Sequence, residues 1–266
     1  MKNNAERASE LRRRVDLTLA LAQNDFKSKY AGSQLGILWA FVKPVVQACV
    51  YIFVFSIVAR STPAGSYPYA FWFLPGIIVW FFFADGVLAG ARALLDYSYL
   101  VKKVRFDISI LPYVKVVSSI IVHIFFVLLV LVLYLIAGLP MCWTMVQIPY
   151  YMLCTLCITL ALSRINCALT PFFRDYLQLL DIALMVLMWA CPVMWDISML
   201  PPRLAFIFKL NPLYYVISGY RMAYMDGGWF FQHPGLTLYF WVVVLLLTLL
   251  GRKLVNSLRV HFADIL

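Results

Sequence analysis

Charged residues are scarce in this chain, and one long stretch has none at all. Residues 116–163 contain no Asp, Glu, Lys or Arg, and over the whole chain 13 % of residues are charged and 64 % are hydrophobic. About 20 apolar residues cross a bilayer core, so this stretch is long enough for two crossings. Gly138, Leu139 and Pro140 interrupt it near its middle and predict a tight turn between two helices. The composition predicts an integral membrane protein rather than a soluble domain.

The motifs of several enzyme classes are absent as well. Neither a Gly-x-x-x-x-Gly-Lys phosphate loop nor a His-Glu-x-x-His metal motif occurs. The three histidines, His123, His233 and His261, are scattered, and we expect His123 to be a packing residue within a span. We predict no catalytic residue, no metal site and no cofactor bound by this chain.

Six cysteines are present, but their setting does not indicate a disulfide framework or a metal site. Most lie within apolar runs, and the Cys154-x-x-Cys157 spacing has neither a second pair nor a nearby His. We therefore interpret the cysteines as small apolar residues.

The net charge of +10 does not predict nucleic-acid binding, because the charges fall between apolar segments and not on one soluble face. In a six-span arrangement, fifteen Lys and Arg residues fall on one side of the membrane and four on the other. The positive-inside rule then predicts both termini in the cytoplasm. The polar, basic residues 1–14 do not resemble a cleaved signal peptide.

We predict an all-α membrane protein with six transmembrane helices. An amphipathic helix lying on the membrane surface is predicted within residues 11–30, where apolar and basic residues alternate. The chain is divided into a cytoplasmic N-terminal part (1–35), a transmembrane domain (36–255) and a cytoplasmic tail (256–266). The predicted spans cover residues 36–59, 69–89, 110–137, 148–171, 176–195 and 236–250.

Residues 196–235, between the fifth and sixth spans, are too many for a turn and too apolar for a free loop. They contain Pro201-Pro202, Asn211-Pro212 and Gly227-Gly228, which interrupt helices. Irregular backbone at membrane depth survives only where protein or a water-filled cavity covers it. We predict short re-entrant helices on the outer side.

Carboxylates within the predicted spans are few, and Asp85 and Asp181 are the near-central candidates. A proton-driven transporter is expected to carry paired carboxylates inside its spans. Both residues lie near predicted span ends, so we interpret them as interfacial. The chain therefore offers no energy source of its own.

Four stretches of the chain together carry a family resemblance. They are Tyr30–Trp39 closed by Pro44, Phe172–Asp175, Leu210–Tyr215 with Gly219–Arg221, and His261–Leu266. They resemble the membrane subunits of type-2 ABC transporters that export cell-surface polysaccharides, and they follow the family's order along the whole chain, which makes the combination more specific than any one stretch. The part from Leu210 onward most resembles permeases for wall teichoic acid, with O-antigen permeases as close relatives. Lys43 departs from the family, since a neutral polar residue is expected before the proline.

The resemblance implies a homodimer that works with two copies of a separate ATP-binding subunit, on which ATP and Mg are bound. The implied substrate is a polymer carried on undecaprenyl diphosphate, and the implied location is the bacterial cytoplasmic membrane. Contacts with the ATP-binding subunit are expected at the surface helix of residues 11–30, in the helical 90–109 connection and in the 172–175 turn. The same charges would also anchor the spans. The expected contact residues are Arg92, Lys102, Lys103, Arg105, Arg174 and Asp175.

A lipid diphosphate requires cations in a partly dry site. Lys43 is the sharpest candidate, because a charge about two turns inside a span is costly unless it serves a partner or a wet channel. The alternative is that Lys43 reaches back to the interface along its aliphatic stem. The other candidates at the inner face are Arg12, Arg13, Arg14, Lys27 and Lys29.

Aromatic side chains are dense in the second span and in the outer segment. Aromatic rings offer a large apolar face, and Tyr and Trp add a polar edge, which suits a path along which sugars slide. The alternative is the interfacial aromatic belt of membrane proteins. The rings assigned to substrate are Trp72, Trp80, Phe81, Tyr214, Tyr215 and Tyr220.

Residues and resemblance together predict the permease subunit of a wall teichoic acid exporter, with O-antigen or capsular polysaccharide as the alternative cargo. A membrane enzyme acting on polyprenyl-linked sugars would need clustered carboxylates, whereas the 12 acidic residues here are dispersed. A drug-exporting permease of the same superfamily would lack the Phe172–Asp175 and Phe262–Asp264 segments.

Overall fold

The computed structural model describes residues 2–58, 67–99, 108–225, 227–259 and 261–262, and every regular element in these ranges is helical. This confirms the predicted all-α membrane fold. The α-helices are α1 Lys2–Lys29, α2 Trp39–Ile52, α3 Tyr69–Asp96, α4 Leu111–Ile136, α5 Ile148–Leu169, α6 Tyr176–Ala190, α7 Pro202–Lys209, α8 Pro212–Tyr224 and α9 Pro234–Leu258.

Short 3₁₀ and π-helical turns lengthen several of these helices. Within the described ranges, five helical segments are long and apolar enough to cross a membrane, so the protein is multi-pass. The helix α6 has 15 residues, or about 22 Å, which is short of the roughly 30 Å bilayer core. The predicted count of six spans therefore stays a prediction. The five segments are Gly36–Val58, Tyr69–Asp96, Ile108–Ile136, Trp143–Phe172 and Pro234–Leu258.

Two helices continue past the predicted ends of their spans. The helix α3 continues to Asp96, beyond the span end predicted near residue 89, and α9 continues to Leu258, beyond the span end predicted near residue 250. Arg92 therefore lies on α3. A helix keeps its backbone hydrogen bonds after its apolar run has ended, so the loss of hydropathy did not mark the end of the helix.

The tight turn between α4 and α5 is confirmed. The Leu139 amide donates to the Tyr134 carbonyl at 3.0 Å and the Gly138 amide donates to Leu135 at 3.1 Å, which is the Schellman arrangement. Gly138 has φ +68°, a conformation that costs glycine little and other residues more.

The helix α3 is the centre of the bundle. Of the most apolar 18 residues of α3, 67 % are buried, compared with 6 % of the most apolar 18 residues in Gly36–Val58. Gly86 and Gly90 let α3 approach α5 closely, and the Ser163 hydroxyl donates to the Gly86 carbonyl at 3.0 Å. A Cβ on Gly90 would overlap Ser163, and one on Gly86 would press against Thr159. Small residues four apart are a common means of packing membrane helices.

The segment after α6 consists of short helices, as the sequence predicts. The helix α7 has no buried residue, whereas α8 buries most of its length against α3, α4 and α5. Near the other end of the bundle, the Phe262 ring is completely buried and packs 6.0 Å from the Phe172 ring. The last residues described are therefore attached to the turn that precedes α6.

Candidate functional site

An ion network, formed by Asp25, Lys115, Asp96 and Tyr97, holds α1 against the bundle. The Lys115 Nζ on α4 lies 2.6 Å from Asp25 Oδ1 on α1 and 2.7 Å from Asp96 Oδ2 on α3, while the Tyr97 hydroxyl donates to Asp25 at 3.1 Å. The side chains of Lys115 and Asp25 are 12 % and 8 % exposed. Burial, and after it the Asp25 charge, raises the pKa of the Tyr97 phenol well above its ordinary value. The phenol therefore remains a donor.

A second polar contact joins α1 to the bundle near its C-terminal end. The Lys29 Nζ lies 2.7 Å from Asp85 Oδ1, and the Ser119 hydroxyl donates to Asp85 Oδ2 at 2.6 Å. Burial lowers the pKa of Lys29, but the charge and hydrogen bond of Asp85 raise it above its ordinary value. Lys29 therefore stays protonated beside Asp85. Asp85, which the sequence analysis interprets as interfacial, is the counter-charge of Lys29 on α1.

These contacts form one wall of a cleft of about 700 Å³ between the end of α1, α2, α3 and α4. Apart from its aromatic rings, its polar side chains are Lys29, Ser33, Lys43, Asp85, Ser119 and His123. Because Lys29 and Asp85 neutralise each other, Lys43 supplies the net positive charge. The remaining wall is largely aromatic and includes Tyr30, Trp39, Phe81, Phe82 and Phe126.

Lys43 is exposed on α2 and borders the cleft. No ion-pair partner for it exists in the part of the chain that the structure describes. Pro44 follows it inside the helix and has no amide to donate to the preceding turn. The arrangement can attract an anion while its aromatic wall accepts an apolar group or a sugar face.

His123 lies at the inner limit of the cleft, 2 % exposed. Its Nε2 lies 2.7 Å from the Tyr220 hydroxyl of α8, and its ring stacks on Phe82 at 4.8 Å between centroids. Its Nδ1 makes no hydrogen bond within the described residues. The histidine therefore joins the cleft wall to α8.

Arg221 fixes the other side of α8. Its guanidinium donates to the carbonyls of Trp72 at 3.2 Å, Pro192 at 2.7 Å and Val193 at 2.6 Å, and lies 3.5 Å from the Trp72 ring centroid. Pro192 and Val193 follow the end of α6, so their carbonyls need donors. A cavity of about 200 Å³ beside Arg221 is bordered by Trp72, Tyr214 and Asp196.

The structure brings only part of the predicted substrate set together. Lys29, Lys43 and Phe81 border the cleft, whereas Arg12, Arg13, Arg14 and Lys27 are exposed along α1 outside it. Arg14 pairs with Glu10 at 3.3 Å on that surface. Three of the predicted rings, Trp80, Tyr215 and Tyr220, are buried in the core, and Trp72 and Tyr214 lie beside Arg221.

The expected contact residues for an ATP-binding subunit are only partly described. Arg92 is exposed on α3, and Arg174 and Asp175 are exposed in the turn before α6, next to Phe173, which is 61 % exposed. Lys102, Lys103 and Arg105 lie outside the described residues. Their role stays a prediction.

Sequence reasoning missed the residues that organise the cleft. Asp25 and Lys115 are 90 positions apart and share no local motif. Asp96 is not close to either of them in the sequence. Arg221 was counted among the charges on the outer side of the membrane. The residue is instead 9 % exposed, and its side chain donates to three backbone carbonyls. A signal was present for Lys115, because a lysine inside an apolar segment requires a counter-charge.

Where the chain is described, no group of three or more His, Cys, Asp or Glu residues is placed to hold a metal ion. Within the described residues, the six cysteines form no disulfide with one another. Cys154 is buried and packs in the bundle core.

Known proteins resemble this chain over most of its length. Residues 16–225 match the family model described as ABC-2 type transporter. The O-antigen export system permease protein RfbA of Myxococcus xanthus is 31 % identical over 212 residues, covering 79 % of this chain and 80 % of that protein. Two permeases of the same name from Klebsiella pneumoniae are 26 % and 24 % identical, each over 252 residues that cover 94 % of this chain and 95 % of the relative. This chain belongs to the ABC-2 type transporter family.

Proposed function

We propose that this chain is the permease subunit of an exporter that moves a lipid-linked O-antigen polysaccharide across the cytoplasmic membrane. The observation that carries the proposal is similarity over 94 % of the chain to permeases named for O-antigen export. The cleft with its unpaired Lys43 supports an anionic, amphiphilic cargo. The chain itself makes and breaks no bond, and ATP is hydrolysed on a separate subunit.

The proposed assembly is a homodimer with two ATP-binding subunits. Both termini lie in the cytoplasm, α1 lies on the inner membrane surface, and residues 36–255 form the transmembrane domain. Exposed Val15 and Leu19 beside the arginines of α1 suit a surface helix. The turn with Phe173, Arg174 and Asp175 is the proposed contact for the ATP-binding subunit.

On the outer side, α6 is the fifth of six crossings, and residues 196–235 after it form short re-entrant helices. Arg221 supports this arrangement because it ties α8 to the carbonyls that follow α6. Buried backbone of this kind is tolerated at membrane depth only with such partners.

In the cleft, Lys43 binds a phosphate oxygen of the lipid diphosphate as a point charge. Trp39 and Phe81 pack against the adjoining isoprenoid or sugar. ATP binding on the partner subunits then opens a path between the two copies, by a rigid-body or gated transition.

Wall teichoic acid is the second candidate cargo. The resemblance of the segment from Leu210 onward to teichoic acid permeases favours it, and a polyol-phosphate polymer on the same lipid diphosphate would use the same cation. The two candidates differ in the polymer and not in the headgroup.

The test is reconstitution of the dimer with its ATP-binding subunit in liposomes. We expect undecaprenyl-diphosphate-linked O-antigen to stimulate ATP hydrolysis more than a teichoic acid precursor does. Lys43→Met should reduce the stimulation at least about tenfold and Lys43→Arg should keep part of it, because charge matters more than shape at a point contact. Stimulation is compared between liposomes that hold equal amounts of the dimer assembled with its ATP-binding subunit. Equal stimulation of the Met variant would exclude Lys43 from the site.

A further inference from the structure

Two unpaired charges of opposite sign lie on helices that have few residues buried against the rest of the chain. Lys43 is on α2, whose span is 6 % buried, and Asp181 is on α6, which buries only Leu184 and Met188. Asp181 is exposed, and its neighbour Ile182 is 55 % exposed. Neither charge has an ion-pair partner within the described ranges.

The two charges lie at similar depth from the same membrane face. Three helices, α3, α4 and α5, lie between α2 and α6 in the chain, and successive helices run in opposite directions. The helices α2 and α6 therefore begin at the same membrane face and run in the same direction. Lys43 is seven residues after Gly36 and Asp181 is five residues after Tyr176, which is about 10 Å and about 8 Å of helix. One chain therefore presents a cation and an anion at matched height.

We propose that Lys43 forms an ion pair with Asp181 of the partner subunit in the homodimer. This inference rests on the proposed dimer. A twofold interface makes such a contact twice, because each copy presents both charges. An isolated charge facing lipid is costly, and pairing offsets part of that cost for both residues.

The pair also adds a residue to the cleft. Asp181 of the partner subunit neutralises Lys43 when no cargo is bound, and the phosphate of an arriving headgroup competes for the same ammonium. Asp181 of the partner subunit is therefore the counter-charge to Lys43 while the cleft is empty, and it keeps other anions out of the cleft. Removing the carboxylate should tighten headgroup binding, whereas removing Lys43 should abolish it.

Disulfide trapping tests the geometry. In a background without native cysteines, differently tagged Lys43→Cys and Asp181→Cys chains are coexpressed and oxidised. We expect a covalent dimer with at least about five times the yield of the control pair Val50→Cys and Asp181→Cys, because Val50 lies two turns further along α2, beyond the reach of a disulfide. Equal or lower yield in dimers verified by native mass spectrometry would overturn the pair.

Charge exchange tests the energetics. Lys43→Asp alone should lower the dimeric fraction about tenfold, and adding Asp181→Lys should restore it, since the swapped charges attract again. Asp181→Asn should halve the headgroup concentration required for stimulation, or lower it further, while Lys43→Met eliminates the response. If the double variant stays monomeric, or Asp181→Asn binds headgroup as the wild type does, the pair is wrong although the exporter function stands. A wild-type chain that never dimerises would instead refute the proposed assembly.

Discussion

The Lys115 ammonium of α4 lies 2.6 Å from the Asp25 carboxylate of α1. The contact joins a helix that precedes the first span to a helix that crosses the membrane. Because Lys29 follows on the same helix and borders the cleft, the position of Asp25 also sets the position of that wall. The ion network is therefore structural support for the cleft.

Lys115→Met should destabilise the fold by about 3–5 kcal/mol, because it leaves the buried Asp25 and the nearby Asp96 without their cation. The measurement is thermal or denaturant unfolding in detergent, together with the rate of proteolysis within α1. Arg14→Met is the matched control, since the Arg14–Glu10 pair is exposed and such pairs contribute little. Equal unfolding of the two variants would contradict the supporting role of the network.

Arg221→Met should destabilise the outer segment by about 3 kcal/mol or more, since the three carbonyls it serves lose charged donors. Arg221→Lys should rescue this in part only, because one ammonium cannot reproduce the planar guanidinium. Hydrogen exchange across residues 190–225 measures the effect. Arg203→Met on exposed α7 is the control, and protection unchanged in Arg221→Met would contradict the prediction.

Gly219→Ala should prevent normal packing of α8, because the new methyl group would overlap the Tyr151 ring. Overpacking of a close-packed core costs about 1–3 kcal/mol. Gly235→Ala is the comparison, since nothing lies within 4 Å of its Cβ position. The yield of folded protein and the unfolding midpoint report the difference, and equal midpoints would disprove the close approach.

The isolated chain should hydrolyse no ATP, because no phosphate loop is present in its sequence. The measurement is phosphate release by the purified chain, then by the chain with its ATP-binding subunit. A partner carrying an inactivated Walker A lysine controls for contaminating ATPases. ATP hydrolysis that co-purifies with the permease, and that is unchanged when the partner's Walker A lysine is inactivated, would refute the proposal that ATP is hydrolysed on a separate subunit.

Much of the architecture was determined by the sequence alone. The absence of charge in residues 116–163 predicts α4 and α5, since a bilayer core admits few charges, and Gly138 predicts their turn through its conformational freedom. The proline and asparagine signals predict the short helices after α6. Lys43 was selected because of its cost inside a span, and it borders the cleft.

Only the tertiary structure decided which of the neighbouring candidates meet. Trp80 and Phe81 are adjacent in sequence, yet Trp80 packs in the core and Phe81 borders the cleft. Consecutive residues of a helix point about 100° apart, and in α3 nearly every face is apolar, so periodicity did not distinguish them. Asp25 and Lys115 are joined across 90 positions because packing brings α1 onto α4, and their attraction acts through space and leaves no spacing along the chain.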